Sequence, residues 1–150
     1  MNVNFPDASS EAIVGALEAG SAAFHPFRKL SGERRATFLE AISGGLESDA
    51  EEIVSLANRE TSLGLPRLKM ELGRTVNETR IFAGLARSEE WLESRSDDAE
   101  PNRTPIPKPA LQSSNVPLGP VVVIGACNFP LAISVVGTDT MSALAVGCPV

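Results

Sequence analysis

The sequence predicts an α/β chain, with helices first and then the opening strand, helix and strand of a parallel sheet, the last domain left incomplete. Three observations predict it. Apolar residues recur at helical spacing through the first 92 residues. The composition then turns polar and proline-rich over 94–109, "SRSDDAEPNRTPIPKP". From Pro117 onward β-branched runs stop at glycines, and the last 34 residues hold one charged side chain, Asp139.

Each element follows in order. Ser9 or Ser10 can cap a first helix whose apolar positions Ile13, Ala16, Leu17, Ala23 and Phe24 share one face, with Pro26 ending or kinking it. Ser31 opens a second helix, in which Phe38, Leu39, Ile42 and Leu46 keep the helical period. Gly44-Gly45 weakens it by about 1 kcal/mol per residue. A third helix runs from Asp49 to Leu63 and buries Ile53, Leu56 and Ala57, with Gly64 as its stop. Pro66 suits the first turn of a long fourth helix to Leu92, with Leu68, Leu72, Val76, Ile81, Phe82 and Leu85 as its buried stripe. Phe24, Phe27, Phe38 and Phe82 are expected in the core. Residues 94–109 read as an extended connection, and "LQSSNV" at 111–116 as a short strand. "VVVIGA" reads as a strand buried on both faces, "LAISVVGTDTMSALAVG" as a helix stopped by Gly147, and "CPV" as the next strand. The chain stops inside that strand, so the expectation is a fragment of a longer protein.

Composition excludes several functions. A net charge of -6 argues against a nucleic-acid backbone as partner. Two cysteines, Cys127 and Cys148, make no disulfide framework, and with His25 as the one histidine a zinc site is not expected. Val116 to Thr138 carries no charge and is long enough to span a bilayer, but Pro120, Pro130 and Asn128 oppose a membrane helix. The first ten residues lack the basic and apolar regions of a signal peptide, so a cytoplasmic location is the expectation.

"GACNFP", residues 125–130, is the stretch that points to chemistry. It follows a predicted strand and precedes a predicted helix, where open α/β sheets place their ligands. It is neither a GxGxxG fingerprint nor a Walker loop. Asn128 is either a turn residue bonded to its own backbone or a fixed amide donor. Cys127 is either a small buried packing residue or a thiol activated near a helix N-terminus, and packing is the expectation. Cys148 is expected in the core. His25 reads as an exposed helix-end residue, and the acidic pairs 51–52, 89–90 and 97–98 as solvated faces. Arg74 can pair along its helix with Glu71 or Glu78.

The stretch from Pro117 to Val150 resembles the start of the cofactor-binding domain of the aldehyde dehydrogenase superfamily. It shares Pro-x-Gly-Pro-Val, an apolar strand, an Asn-Phe-Pro turn and a closing Gly-Cys-Pro-Val. "AAFHPFRKLSGERRATFLEAISGGLE" and "RETSLGLPRLKMELGRTVNETRIFAGL" resemble the family's N-terminal helices, in the manner of the α-ketoglutarate semialdehyde (2,5-dioxopentanoate) branch. Many members have Pro-Trp where this chain has Ala126-Cys127. The resemblance implies an N-terminal helical segment at 1–92, a connection at 93–116, and at 117–150 the truncated start of a Rossmann-like NAD(P)-binding domain. It implies that a cysteine thiolate attacks an aldehyde, that hydride passes to NAD or NADP, and that a glutamate activates water to release the acid. Asn128 matches the oxyanion-holding residue, and Ile124, Gly125, Ala126 and Cys127 match the turn against the cofactor. The family's nucleophile and general base lie outside this stretch, and its cofactor-binding lysine is expected just beyond Val150. The chain alone is therefore expected to be inactive, its substrate a small-molecule aldehyde, and the full-length parent a homo-oligomer. Arg74 or Arg80 is expected to meet a substrate carboxylate. The competing expectations are a truncated, non-catalytic interaction module and a redox protein using Cys127.

Overall fold

The computed structural model describes residues 6–150, so the first five residues of the stretch read for a signal peptide lie outside it. Helix α1 (Ser10–Arg28) starts where Ser9 Oγ accepts the Ala12 N–H at 3.2 Å. Pro26 does not end it: the helix continues to Arg28, and the missing proline N–H removes one bond, that to the preceding Ala22 carbonyl. None of its residues is buried: Ile13, Val14 and Leu17 stay half exposed, and only its C-terminal part, through Phe27, meets α2. Helix α2 (Gly32–Ser48) begins with the same device, Ser31 Oγ accepting the Arg34 N–H. It passes through Gly44-Gly45 unbroken.

Helix α3 (Ala50–Thr61) ends on Ser62, which adopts the left-handed conformation at φ 57°, earlier than the predicted stop at Gly64. Gly64, at φ 91°, instead turns the chain into α4 (Leu65–Ser88), with Pro66 in the first turn as expected. A 3-10 turn at Glu90–Leu92 takes the remainder of the predicted fourth helix.

Helix α4 is the spine, packing on α2, α3 and α5 (Thr138–Ala145). Its buried stripe is Leu68, Glu71, Leu72, Thr75, Val76, Thr79, Ala83 and Ala86. Three polar residues thus sit where only apolar ones were expected, while Ile81 is 60% exposed. One core cluster joins Ala36 and Leu39 of α2 to Ala83, Ala86, Met141 and Ala145. A second joins Val54 and Ala57 to Leu68 and Leu72. Of the phenylalanines, Phe38 is exposed, though its ring meets Phe27 edge-on at 6.2 Å; Phe24, Phe27 and Phe82 are partly buried. Leu56 is also exposed.

The connection is an exposed hairpin arm. Strands β1 (Arg95–Asp97) and β2 (Leu111–Ser113) pair antiparallel, Arg95 opposite Ser113. Lys108 closes it on Asp97 and Glu100.

The predicted parallel sheet is not formed among the described residues. Segments 121–126 and 148–150 do lie side by side, but one hydrogen bond joins them, Val121 N–H to Pro149 O at 2.8 Å. A strand buried on both faces needs paired neighbours at its edges and elements covering both faces. Here Val122 and Ile124 are 72% and 88% exposed. The predicted helix at 131–147 shrinks to α5, because residues 127–137 form turns whose N–H groups bond outside any helix. Gly147 does stop α5, at φ 92°. Buried Arg35 pins that end. Its Nε donates to Ala145 O at 2.9 Å, Nη1 donates to Leu30 O, and the guanidinium lies over Trp91.

Candidate active site

The turn at 125–133 folds on itself. Ala126 N–H donates to Ile133 O at 2.8 Å, and Phe129 O accepts the Ile133 N–H at 3.0 Å. Gly125 is required here, since a Cβ would stand 2.9 Å from the Ser134 Cα and 3.1 Å from the Ile133 carbonyl. Its lack of a side chain therefore makes room for the chain's own backbone.

Asn128 stands exposed on this turn. Its side-chain amide makes no hydrogen bond among the described residues, so it is not spent on its own backbone as a turn asparagine would be. Cys127 beside it is exposed, which corrects the expectation of a buried packing residue; it occupies the turn's outer surface, not an element's inner face. Cys148 is buried in the core, as expected. His25 is exposed in the last turn of α1, as expected.

Ile124, Gly125, Ala126 and Cys127 form one run of backbone leading to Asn128, and all but Ala126 are exposed. These side chains are small or apolar. They carry no cation of their own to meet a phosphate.

Helix α4 holds the turn from below. Arg67 Nη2 donates to Asn128 O at 2.7 Å, and its guanidinium covers the Phe129 ring at 5.4 Å. Glu71 Oε1 accepts the Leu131 and Ala132 N–H groups at 3.0 and 3.1 Å. Thr75 Oγ1 donates to Leu131 O at 2.6 Å, and the Thr138 hydroxyl donates to Glu78 Oε2. Residues 67, 71, 75 and 78 lie on one helix face by their spacing of three and four. No hydrophobic pattern could have found them, but the repeat of polar residues at that spacing carries the signal.

Arg74 lies on the same face and pairs with Glu78 at 2.7 Å. Burial pushes Glu78 up, but the Thr138 hydroxyl and Arg74 outweigh it and hold its carboxyl below the usual range. Arg80 pairs with Glu47 instead, on the opposite face. That face lines a cavity of about 360 Å³ between α2, α3 and α4, with Val54, Leu72 and Val76 among its walls. This cavity does not include the Asn128 turn.

Residues 2–150 match the model of the aldehyde dehydrogenase family. The chain belongs to that family. It is 47% identical to alpha-ketoglutaric semialdehyde dehydrogenase 2 of Azospirillum brasilense over 90% of its length. It is 38% identical to alpha-ketoglutaric semialdehyde dehydrogenase of Acinetobacter baylyi over 97%. It spans 26% and 28% of those two proteins. The crystal structure of aldehyde dehydrogenase 21 from Physcomitrella patens, in complex with the reaction product succinate, superposes with a TM-score of 0.80 at 25% identity. That match covers 96% of this chain and 29% of the other.

Proposed function

We propose that this chain forms the oxyanion-bearing part of an NAD(P)+-dependent aldehyde dehydrogenase acting on the semialdehyde of a dicarboxylic acid. The observation that carries the reading is the free, exposed amide of Asn128 on a turn fixed by α4. Negative charge develops on the aldehyde oxygen when a thiolate attacks, and a donor already in place stabilises it. NAD(P)+, when bound, takes up the hydride. Ile124, Gly125, Ala126 and Cys127 would meet one of its rings. The names of the two relatives support a semialdehyde substrate.

A distal carboxylate on such a substrate needs a cation near the turn. Arg74 suits this better than Arg80, because it shares the helix face that holds the turn, whereas Arg80 borders the opposite cavity. The substrate would compete with Glu78 for the guanidinium.

Neither cysteine of these 150 residues is read as the nucleophile, so the 150-residue chain alone is expected to reduce no NAD(P)+. In the complete protein, 2,5-dioxopentanoate with NAD+ or NADP+ should be turned over, and Asn128→Ala should lower kcat about 100-fold or more. Turnover unchanged by that substitution would remove the reading. Arg74→Met should raise KM for the acidic semialdehyde far more than for a neutral aldehyde of equal length. Equal effects on both would remove Arg74 from the substrate site.

A further inference from the structure

We propose that Glu71 is a positioning residue, which from the middle of α4 fixes the backbone that aims the Asn128 amide. This rests on the oxyanion reading of Asn128. Glu71 is 4% exposed, and no ion pair to it is formed among the described residues. A buried carboxyl without a cation is costly, and a leucine there would extend the apolar stripe of α4 at no such cost. The partners explain the choice. Both N–H groups that Glu71 accepts belong to the turn, Leu131 and Ala132, three and four residues past Asn128. Neither N–H lies in a helix or sheet: that of Leu131 has no backbone acceptor among the described residues, and that of Ala132 has only a long one, Phe129 O at 3.3 Å, so Glu71 supplies the shorter bond to each. Its Oε2 is buried without a partner among the described residues, so the whole bonding capacity in use is directed at the turn.

The remaining anchors agree. Thr75 holds the Leu131 carbonyl from one turn further along α4, and Arg67 holds the Asn128 carbonyl from one turn earlier. The Asn128 side chain contributes nothing to its own placement. Its direction is set by backbone, and that backbone is set by α4. Displacing a reacting group by about 1 Å can lower a rate about 100-fold.

The test is a double-substitution cycle in the complete protein, with Glu71→Leu and Asn128→Ala alone and together, assayed with 2,5-dioxopentanoate and NAD+ or NADP+. Glu71→Leu is expected to lower kcat about 10- to 100-fold with little change in KM. In the Asn128→Ala background it should lower kcat no further, since the group it aims is gone. Independent, multiplying losses would overturn the role of Glu71 and leave Asn128 in place. Wild-type kcat for Asn128→Ala alone would overturn the oxyanion reading and this proposal with it. Thermal unfolding and the Kd of the cofactor establish that each variant is folded. Should Glu71→Leu not fold, Thr75→Val removes another anchor of the same turn with no change of shape. It should show a smaller loss with the same non-additivity, and independent losses there would overturn the proposal equally.

Discussion

Asn128 and Cys127 are neighbours with different legibility in the sequence. The turn was marked by Gly125 and Pro130, and an asparagine between them invited a chemical reading. The freedom of its amide was not marked, because it depends on Arg67 taking its carbonyl from 61 positions away. Cys127 was read as buried because free cysteines usually are; its place on the turn surface decides otherwise. The contrast with Cys148 is measurable. Iodoacetamide on the native protein at neutral pH, followed by peptide mapping, should label Cys127 readily. Cys148, buried against α5, should be labelled only once the protein is unfolded. Equal labelling of the two would contradict the packing of residues 138–148.

At the scale of elements, the four long helices were legible because capping serines, a first-turn proline and the apolar period agree. What was not legible is the exchange between α4 and the turn. Residues 131–137 have the apolar content of a helix, yet β-branched Ile133, Val135 and Val136 are indifferent helix formers. The anchors on α4 outbid the local preference. That exchange is sensitive to acid at one point. The carboxyl of Glu78 lies below its ordinary value of 4.5, so the folded state releases that proton more readily than the unfolded one. Its stabilising effect is complete above that value and is lost as the pH falls through the lower, folded-state value. Urea unfolding from about pH 6 down to about pH 3 should therefore show a steeper loss of stability for the wild type than for Glu78→Gln. Parallel curves would mean that the Thr138 and Arg74 contacts do not form in solution.

For the whole molecule, the division into helices followed by β-branched runs was legible, and the parallel sheet expected from those runs is where the reading and the structure part. Pattern reports which residues prefer burial, not whether the covering elements are at hand. Leu118, Val122, Ile124 and Val135 remain open to solvent. The α1–α2 connection and the end of α5 are nevertheless joined by Arg35, which donates to carbonyls of Leu30 and Ala145. Arg35→Met keeps the packing of the stem but leaves both carbonyls without that donor. It should destabilise the protein by about 2–3 kcal/mol, read as a lower urea midpoint with an unchanged m-value. No shift in midpoint would mean that the two carbonyls find water instead.

The same arginine bears on the order of events during synthesis. Its acceptor on Ala145 lies 110 residues further along. At about 5–20 residues per second, the ribosome needs several seconds or more to supply it. Throughout that interval α2 is already in the open, with a guanidinium meant for the interior that has the Leu30 carbonyl within reach but not its second acceptor. A nascent chain of this protein therefore has a defined waiting period, ended by the emergence of α5, during which a chaperone would find its α2–α4 surface uncovered.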